Sequence, residues 1–166
     1  DRKIRAERLD EGLAVLAGLW AGQPFTFTGK HYRLKPTSFN VPPPPLQKPR
    51  IPVWVVGAWP REKSMRRALQ WDGLIPNRLD SDGNQAEVRP GDIAEMKAYI
   101  AAHRDTAAPF EIIMEAKTPG EDAARSKEIV RPWAEAGVTW FNEAMWDEND
   151  PSRVLDRIRR GPPRLE

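Results

Sequence analysis

The sequence predicts an α/β fold in which helices cover a parallel sheet. Three observations carry that reading. From residue 53 onward, short apolar runs alternate with helix-length segments, and the beat repeats four times. The runs "VWVV" and "EIIM" are apolar at successive positions, as expected of strands buried on both faces. Turn-forming residues, among them Gly57, the "DSDG" stretch and "TPG", punctuate the runs.

Residues 2–20 read as an amphipathic helix: Ile4, Leu9, Leu13, Leu16 and Trp20 fall near one face, and Gly22 is a stop signal. Phe25, Phe27, Tyr32 and Leu34 then alternate with polar residues around Gly29 and Lys30, which predicts a small hairpin. Residues 38–52 form a loop, because "VPPPPLQKPRIP" lacks the donors of a helix or central strand. A polyproline II lead-in to the next strand is expected there, with a partner-docking motif as the alternative.

The first strand–helix unit places a strand at 53–56, ended by Gly57, and a helix at 61–70 bearing Met65, Ala68 and Leu69. "GLIP" is the second strand, and a polar stretch at 77–91 leads to a helix capped by Asp92. "FEIIMEA" is the third strand. Its helix reaches about Ala136, and Pro132 predicts a kink or break near Arg131. "GVTWF" is the fourth strand. Asp150 and Pro151 open a last helix that Gly161 ends.

Composition narrows the function classes. A chain of 166 residues can bury one substantial core. The formal charge is only +2 with both signs interleaved, which argues against a nucleic-acid partner. There is no Cys, which removes disulfide and thiolate-metal chemistry and favours the cytoplasm. No apolar run is long enough for a membrane partner. The opening "DRKIRAERLDE" is already helical and lacks Met, which suggests a chain cut from something longer.

The candidate chemistry collects at strand ends, where parallel α/β folds place their sites. Gly57 has no Cβ to keep a ligand from the backbone. The helix start that follows offers unpaired N–H groups, with Arg61, Lys63 and Ser64 beside them, an arrangement that suits an anion such as phosphate. The alternative is that Gly57 only makes a tight strand-to-helix turn. Asn77 and Arg78 follow the second strand, and Asn142 and Glu143 the fourth. Glu143 is a candidate reacting carboxylate or a solvated loop acid. His31 and His103 have no metal-ligand spacing and read as structural or solvated. Trp54, Trp71 and Trp140 belong to the core, whereas Trp59 and Trp146 lie in loops at the functional end. The basic last helix has Val154, Leu155 and Ile158 as a docking face.

The stretch "RAERLDEGLAVLAGLWAGQPFTFTGKHYRLK", followed by "PPPPLQKPRIPVWVVGAWP" and "WDGLIP", resembles the luciferase-like flavin monooxygenases, a family that includes deazaflavin-dependent reductases. The resemblance implies a TIM-type barrel and FMN or a deazaflavin coenzyme. It assigns the turn Gly57, Ala58 and Trp59 to the phosphate-bearing tail of the flavin, with Ser64 as a weaker candidate; position after a strand makes Asn77 a further candidate cofactor contact and Glu143 the catalytic candidate. Family members often carry a second Gly where this chain has Ala58. A whole barrel has eight strands and about 250 residues. The expected fold is therefore one domain: the C-terminal half of a (β/α)8 barrel, with a leading helix at 1–22, a hairpin and proline insertion at 23–52, and four units at 53–161. The implied function is a flavin-dependent oxidoreductase of monooxygenase type acting on a small organic substrate. The rival is a non-catalytic half-barrel with a relict flavin site. Open strand edges and an uncovered inner face predict a homodimer.

Overall fold

The computed structural model describes residues 1–36 and 43–165, so the polyproline expectation at 38–42 lies outside the described residues. The chain divides into two compact units, Asp1–Pro52 and Val53–Glu166.

The first unit is a helix and a hairpin. Helix α1 (Arg2–Ala21) is capped by Asp1, whose carboxylate accepts from the N–H of Lys3 at 2.7 Å, and Gly22 ends it at φ 118°. Strands β1 (Phe27–Thr28) and β2 (Arg33–Leu34) pair antiparallel, with Phe27 opposite Leu34. Glu7 and Glu11, one turn apart on α1, face the same way. The Glu11 carboxylate accepts the N–H groups of Lys30, His31 and Tyr32 at 2.7, 2.9 and 2.9 Å. Glu7 pairs with Lys30 Nζ at 2.7 Å and His31 Nε2 at 2.8 Å. Gly18 leaves room for the Phe25 ring, which a Cβ there would meet at 2.0 Å. The hairpin is thus fastened to the helix by carboxylates at its tip and a ring at its base. The apolar stripe expected on α1 is mostly uncovered: Leu13 is buried, but Ile4, Leu9 and Leu16 are exposed. A short hairpin has too little surface to cover a 20-residue helix.

The second unit is a sheet of four parallel strands in the order β3 (Trp54–Trp59), β4 (Gly73–Leu79), β6 (Glu111–Ala116) and β7 (Trp140–Glu143). Between β4 and β6, a short β5 (Gln85–Ala86) folds back antiparallel on the end of β4. The helices are α2 (Glu62–Ala68), α3 (Pro90–His103), α4 (Ala123–Ala136) and α5 (Pro151–Arg159). Four strand–helix units follow in sequence, as the periodicity predicts.

Side-chain alternation sorts the sheet into two faces. Val55, Leu74 and Ile112 are buried, as are Met65 and Ala68 of α2, Ile93 and Met96 of α3, and Val130 of α4. Each large side chain fully withdrawn from water contributes about 1.5–3 kcal/mol. On the other face, here called inner, Val56 is 53% and Trp140 51% exposed. Trp140 is therefore not a core residue of this chain, contrary to expectation. Trp54 leans over side-chain-free Gly73 and meets Trp140 with ring centroids 5.4 Å apart.

Several boundaries differ from the sequence expectation. Strand β3 does not end at Gly57. It runs on to Trp59, in register with β4 up to Arg78. Strand β4 outlasts "GLIP", because pairing of Arg78 and Leu79 with Ala86 and Gln85 carries it onward. Asn77, Arg78, Asn142 and Glu143 consequently lie within strands rather than in loops after them. Gly137 caps α4 in the left-handed region at φ 116°, so β7 starts at Trp140. Helix α4 continues unbroken past Pro132. Pro132 and Glu128 are both exposed, so water can serve the carbonyl that the proline cannot. Asp92 sits inside the first turn of α3, not before it: its carboxylate accepts from Arg89 N–H at 2.8 Å. Among the described residues no helix is long and apolar enough to cross a membrane.

The fold yields two predictions. A Cβ on Gly57 would lie 2.3 Å from Leu74 Cδ1 and 3.0 Å from Met65 Sδ, both fully buried. Gly57→Val should cost about 1–3 kcal/mol in chemical denaturation by overpacking, and an unchanged midpoint would refute the packing role. In the first unit, hydrogen bonds from Lys30 and then His31 lower Glu7 from 4.5 to about 2. Glu11 is also lowered: desolvation opposes the shift, and the His31, Tyr32 and Lys30 amides outweigh it. A depressed carboxylate stabilises the fold above its unfolded value and loses that contribution as pH falls through its folded one. The Lys30–Tyr32 amide resonances should move as pH drops from 4.5 toward 2, and Glu7→Gln should reduce that change. Identical titrations of parent and variant would contradict the clamp.

Candidate functional site

A cavity of about 370 Å³ opens on the inner face, toward the carboxyl ends of β3, β4 and β6. Val56, Ile75 and Ile113 form its apolar floor. The β5 arm supplies Gln85, Glu87 and Val88 to its lining, and β6 supplies Glu115. Asn77 also lines it, and its Oδ1 is buried without a hydrogen-bond partner. Trp54 Nε1, on the same face of the sheet, is buried and unpartnered too. Both atoms lie on the inner side of the sheet, where a buried polar atom left without a partner costs about 1–3 kcal/mol.

The turn that follows Gly57 has a different character. Gly57 faces α2, where it permits the close approach of Met65 and Leu74. Ser64 Oγ accepts the Ala58 N–H at 2.9 Å, and Arg61 N–H donates to the Ala58 carbonyl at 2.7 Å. The amide at Ala58 is therefore already used within the turn. Trp59 lies within the strand and meets Tyr99 edge-on, centroids 5.7 Å apart. The cations scatter: the Arg61 guanidinium lies beside Gly83 in the 80–83 turn, and Arg78 pairs with Asp92 at 3.1 Å. The structure thus brings Ala58 and Ser64 together, and Asn77, which also lines the inner cavity, is the register partner of Ala58 on the neighbouring strand.

Glu143 faces the helix layer. Its carboxylate accepts from Thr118 N–H, Thr118 Oγ1 and Arg157 Nη2, each at 2.7 Å. Arg157 Nη2 also donates to Thr118 Oγ1, and Nη1 to the Gly161 carbonyl. One carboxylate and one guanidinium thereby join β7, the loop after β6 and the C-terminal end of the last helix. Asn142 alternates to the inner face, in register with Glu115. His31 serves the Glu7 clamp, and His103 stacks on Tyr99 at 4.0 Å at the end of α3. Trp146 is 84% exposed. Of the docking face expected on α5, Val154 is half-buried, whereas Leu155 and Ile158 are exposed.

Sequence reasoning missed the β5 arm and Glu115. "SDGNQ" after "NRL" is an Asp-Gly hairpin signal, and it identifies the arm. Alternation along "EIIMEA" places Glu115 on the face of Ile113.

The sequence matches the family model described as luciferase-like monooxygenase over residues 1–160, so the match covers both units. The chain belongs to the luciferase-like monooxygenase family. A search of curated proteins finds no match to it. Luciferase-like monooxygenases are oxidoreductases that generally work with a flavin or a deazaflavin. For this member, the inner face presents the only pair of orphaned polar atoms on the sheet among the described residues.

The Glu143–Arg157 tie gives a prediction. Side chains only 22% and 11% exposed make the pair more than a surface contact. Glu143→Ala should cost about 1–3 kcal/mol of stability, because it strands the Arg157 charge, and Arg157→Met in the same chain should recover part of that loss. Additive losses in a double-mutant cycle by urea denaturation would show that the two do not act as a unit.

Proposed function

We propose that the chain is a flavin-dependent oxidoreductase of monooxygenase type, built as the C-terminal half of a TIM-type barrel, with FMN or a deazaflavin held against its inner face. When bound, the cofactor would supply the electrons for oxidation of a small organic substrate. The observation that carries this reading is the orphaned pair, Asn77 Oδ1 and Trp54 Nε1, on the open face of a sheet in a luciferase-like chain. A planar heterocycle with both N–H donors and carbonyl acceptors complements them, and Trp54, Trp140 and Val56 offer apolar surface for its rings. Asn77 would accept a hydrogen bond and orient the ring, and the apolar floor would exclude water. Gly57, Ala58, Trp59 and Ser64 would support the site by fixing the end of β3. Glu143 would hold β7 in place rather than touch the reacting atoms.

The same reading includes a homodimer. Strands β3 and β7 each have one neighbour in the described sheet, and Val56 and Trp140 are exposed between those edges. A second copy would cover an apolar face of that kind. The absence of cysteine suits a reducing compartment such as the cytoplasm.

Two measurements test this. Fluorescence titration should show FMN or a deazaflavin binding, and Asn77→Leu should weaken it by about tenfold. No binding, or equal affinity in the variant, would overturn the cofactor reading. Light scattering on a sizing column should give twice the chain mass of 18.9 kDa. A monomer at all concentrations would remove the dimer.

A further inference from the structure

Both ends of the four-strand path are open: among the described residues β3 pairs only with β4, and β7 only with β6. All four strands run parallel. The free sides of β3 and β7 are therefore the two opposite edges of one ribbon, and one edge can pair with the other edge of a second copy. The ribbon is also curled. Trp54 and Trp140 stand at its two ends, three strand spacings or about 14 Å apart on a flat sheet, yet their rings meet on the inner face at 5.4 Å. Side chains meet across the bore in this way in an eight-stranded ring, whose interior is just wide enough for them to fill. A second opening lies on the helix side of β7. This cavity of about 510 Å³ is lined by Phe141 of β7, Trp146, Val154 and Ile158 of α5, and Pro162 and Pro163, and among the described residues β6 lends it none. Trp146 and Ile158 are exposed, the latter at 68%. Helix α5 thus presents an apolar groove beside the open edge of the sheet.

We propose that two copies join edge to edge, β7 of each beside β3 of the other, into one closed ring of eight parallel strands. The two junctions are related by a two-fold axis along the bore. Closure leaves no strand edge open and sets each inner face against the other. It also brings the partner's β3 and α2 over the apolar groove at α5. Two sheets stacked face to face would cover the inner faces only, and both the edges and the groove would stay bare. The ring decides the cofactor count as well. With all strands parallel, both inner cavities open at the same end and share one mouth at the carboxyl ends of the strands. One cavity of about 370 Å³ is near the lower end for a ligand site, and two that face each other make a site of flavin size. The ring therefore takes one flavin per two chains. That count rests on the reading of the inner face as the flavin site; the joining of the strands does not.

Light scattering on a sizing column, amide hydrogen exchange and FMN titration separate the arrangements. The Ala144 N–H donates to the Ala116 carbonyl at 2.9 Å, so alternation along β7 turns the N–H groups of Phe141 and Glu143 to the open side. Those two amides should exchange about tenfold or more slowly in the dimer than in the chain diluted to monomer. Ile158→Glu, at an exposed position of the groove, should weaken the dimer about tenfold or more with the circular dichroism of the chain unchanged. Leu46→Glu, at a position 95% exposed, should leave dimerisation as it is. FMN should saturate at one per two chains. A monomer, a dimer whose Phe141 and Glu143 amides exchange as fast as in the monomer, or a dimer indifferent to Ile158→Glu would overturn the ring, and so would saturation at one FMN per chain. A dimer with slowed amides that Ile158→Glu weakens, but that binds no FMN, keeps the ring and loses the flavin reading.

Discussion

The second unit depends on the close approach of α2 to β3 at Gly57. A side chain there would collide with Leu74 and Met65, so the missing Cβ lets helix and strand pack at short range. That contact sets which way β3 faces. With Gly57 turned to the helix, Val55 is also helix-side, while Trp54, Val56 and Ala58 are inner. Parallel register passes the same division to β4, β6 and β7, strand by strand. Asn77 and Glu115 face the cavity, and Glu143 faces the helices, because of a parity fixed at one glycine.

Carboxylates do two kinds of work in this chain. Glu11 and Glu143 are saturated: Glu11 gathers three main-chain N–H groups and Glu143 one main-chain and two side-chain donors, and each fastens a loop to a helix. Glu87 and Glu115 are unsatisfied and line a cavity. A reacting or ligand-binding acid needs free lone pairs where a ligand can reach them, and a saturated acid has already committed its own. Partner geometry, more than position in the chain, separates the structural acids from the functional candidates.

Much of the fold was legible in the sequence. The four-fold beat of apolar runs and helices predicts the parallel units, and Asp150 with Pro151 marks the start of α5. The family was legible in the order of its short words. The faces of the strands were harder to read. Runs such as "VWVV" are apolar at every position, so alternation cannot say whether Gly57 or Val56 meets the helices. The ends of β3, β4 and β7 were placed two or three residues early, because sheet pairing, a tertiary term, carries strands through Trp59, Leu79 and Glu143. Glu143 sits at a strand end as a catalytic acid would. Its engagement depends on Arg157, which is distant in sequence, and no local pattern reveals it.

The central claim is that the inner face, not the helix-side turn after Gly57, is the working surface of this luciferase-like chain. A crystal structure of the chain with FMN or deazaflavin bound tests it most directly. The account predicts density for the ring system on the inner face, within hydrogen-bond reach of Asn77 Oδ1 or Trp54 Nε1. Ring density on the helix side of β3 or beside Glu143, with the inner face bare, would contradict it.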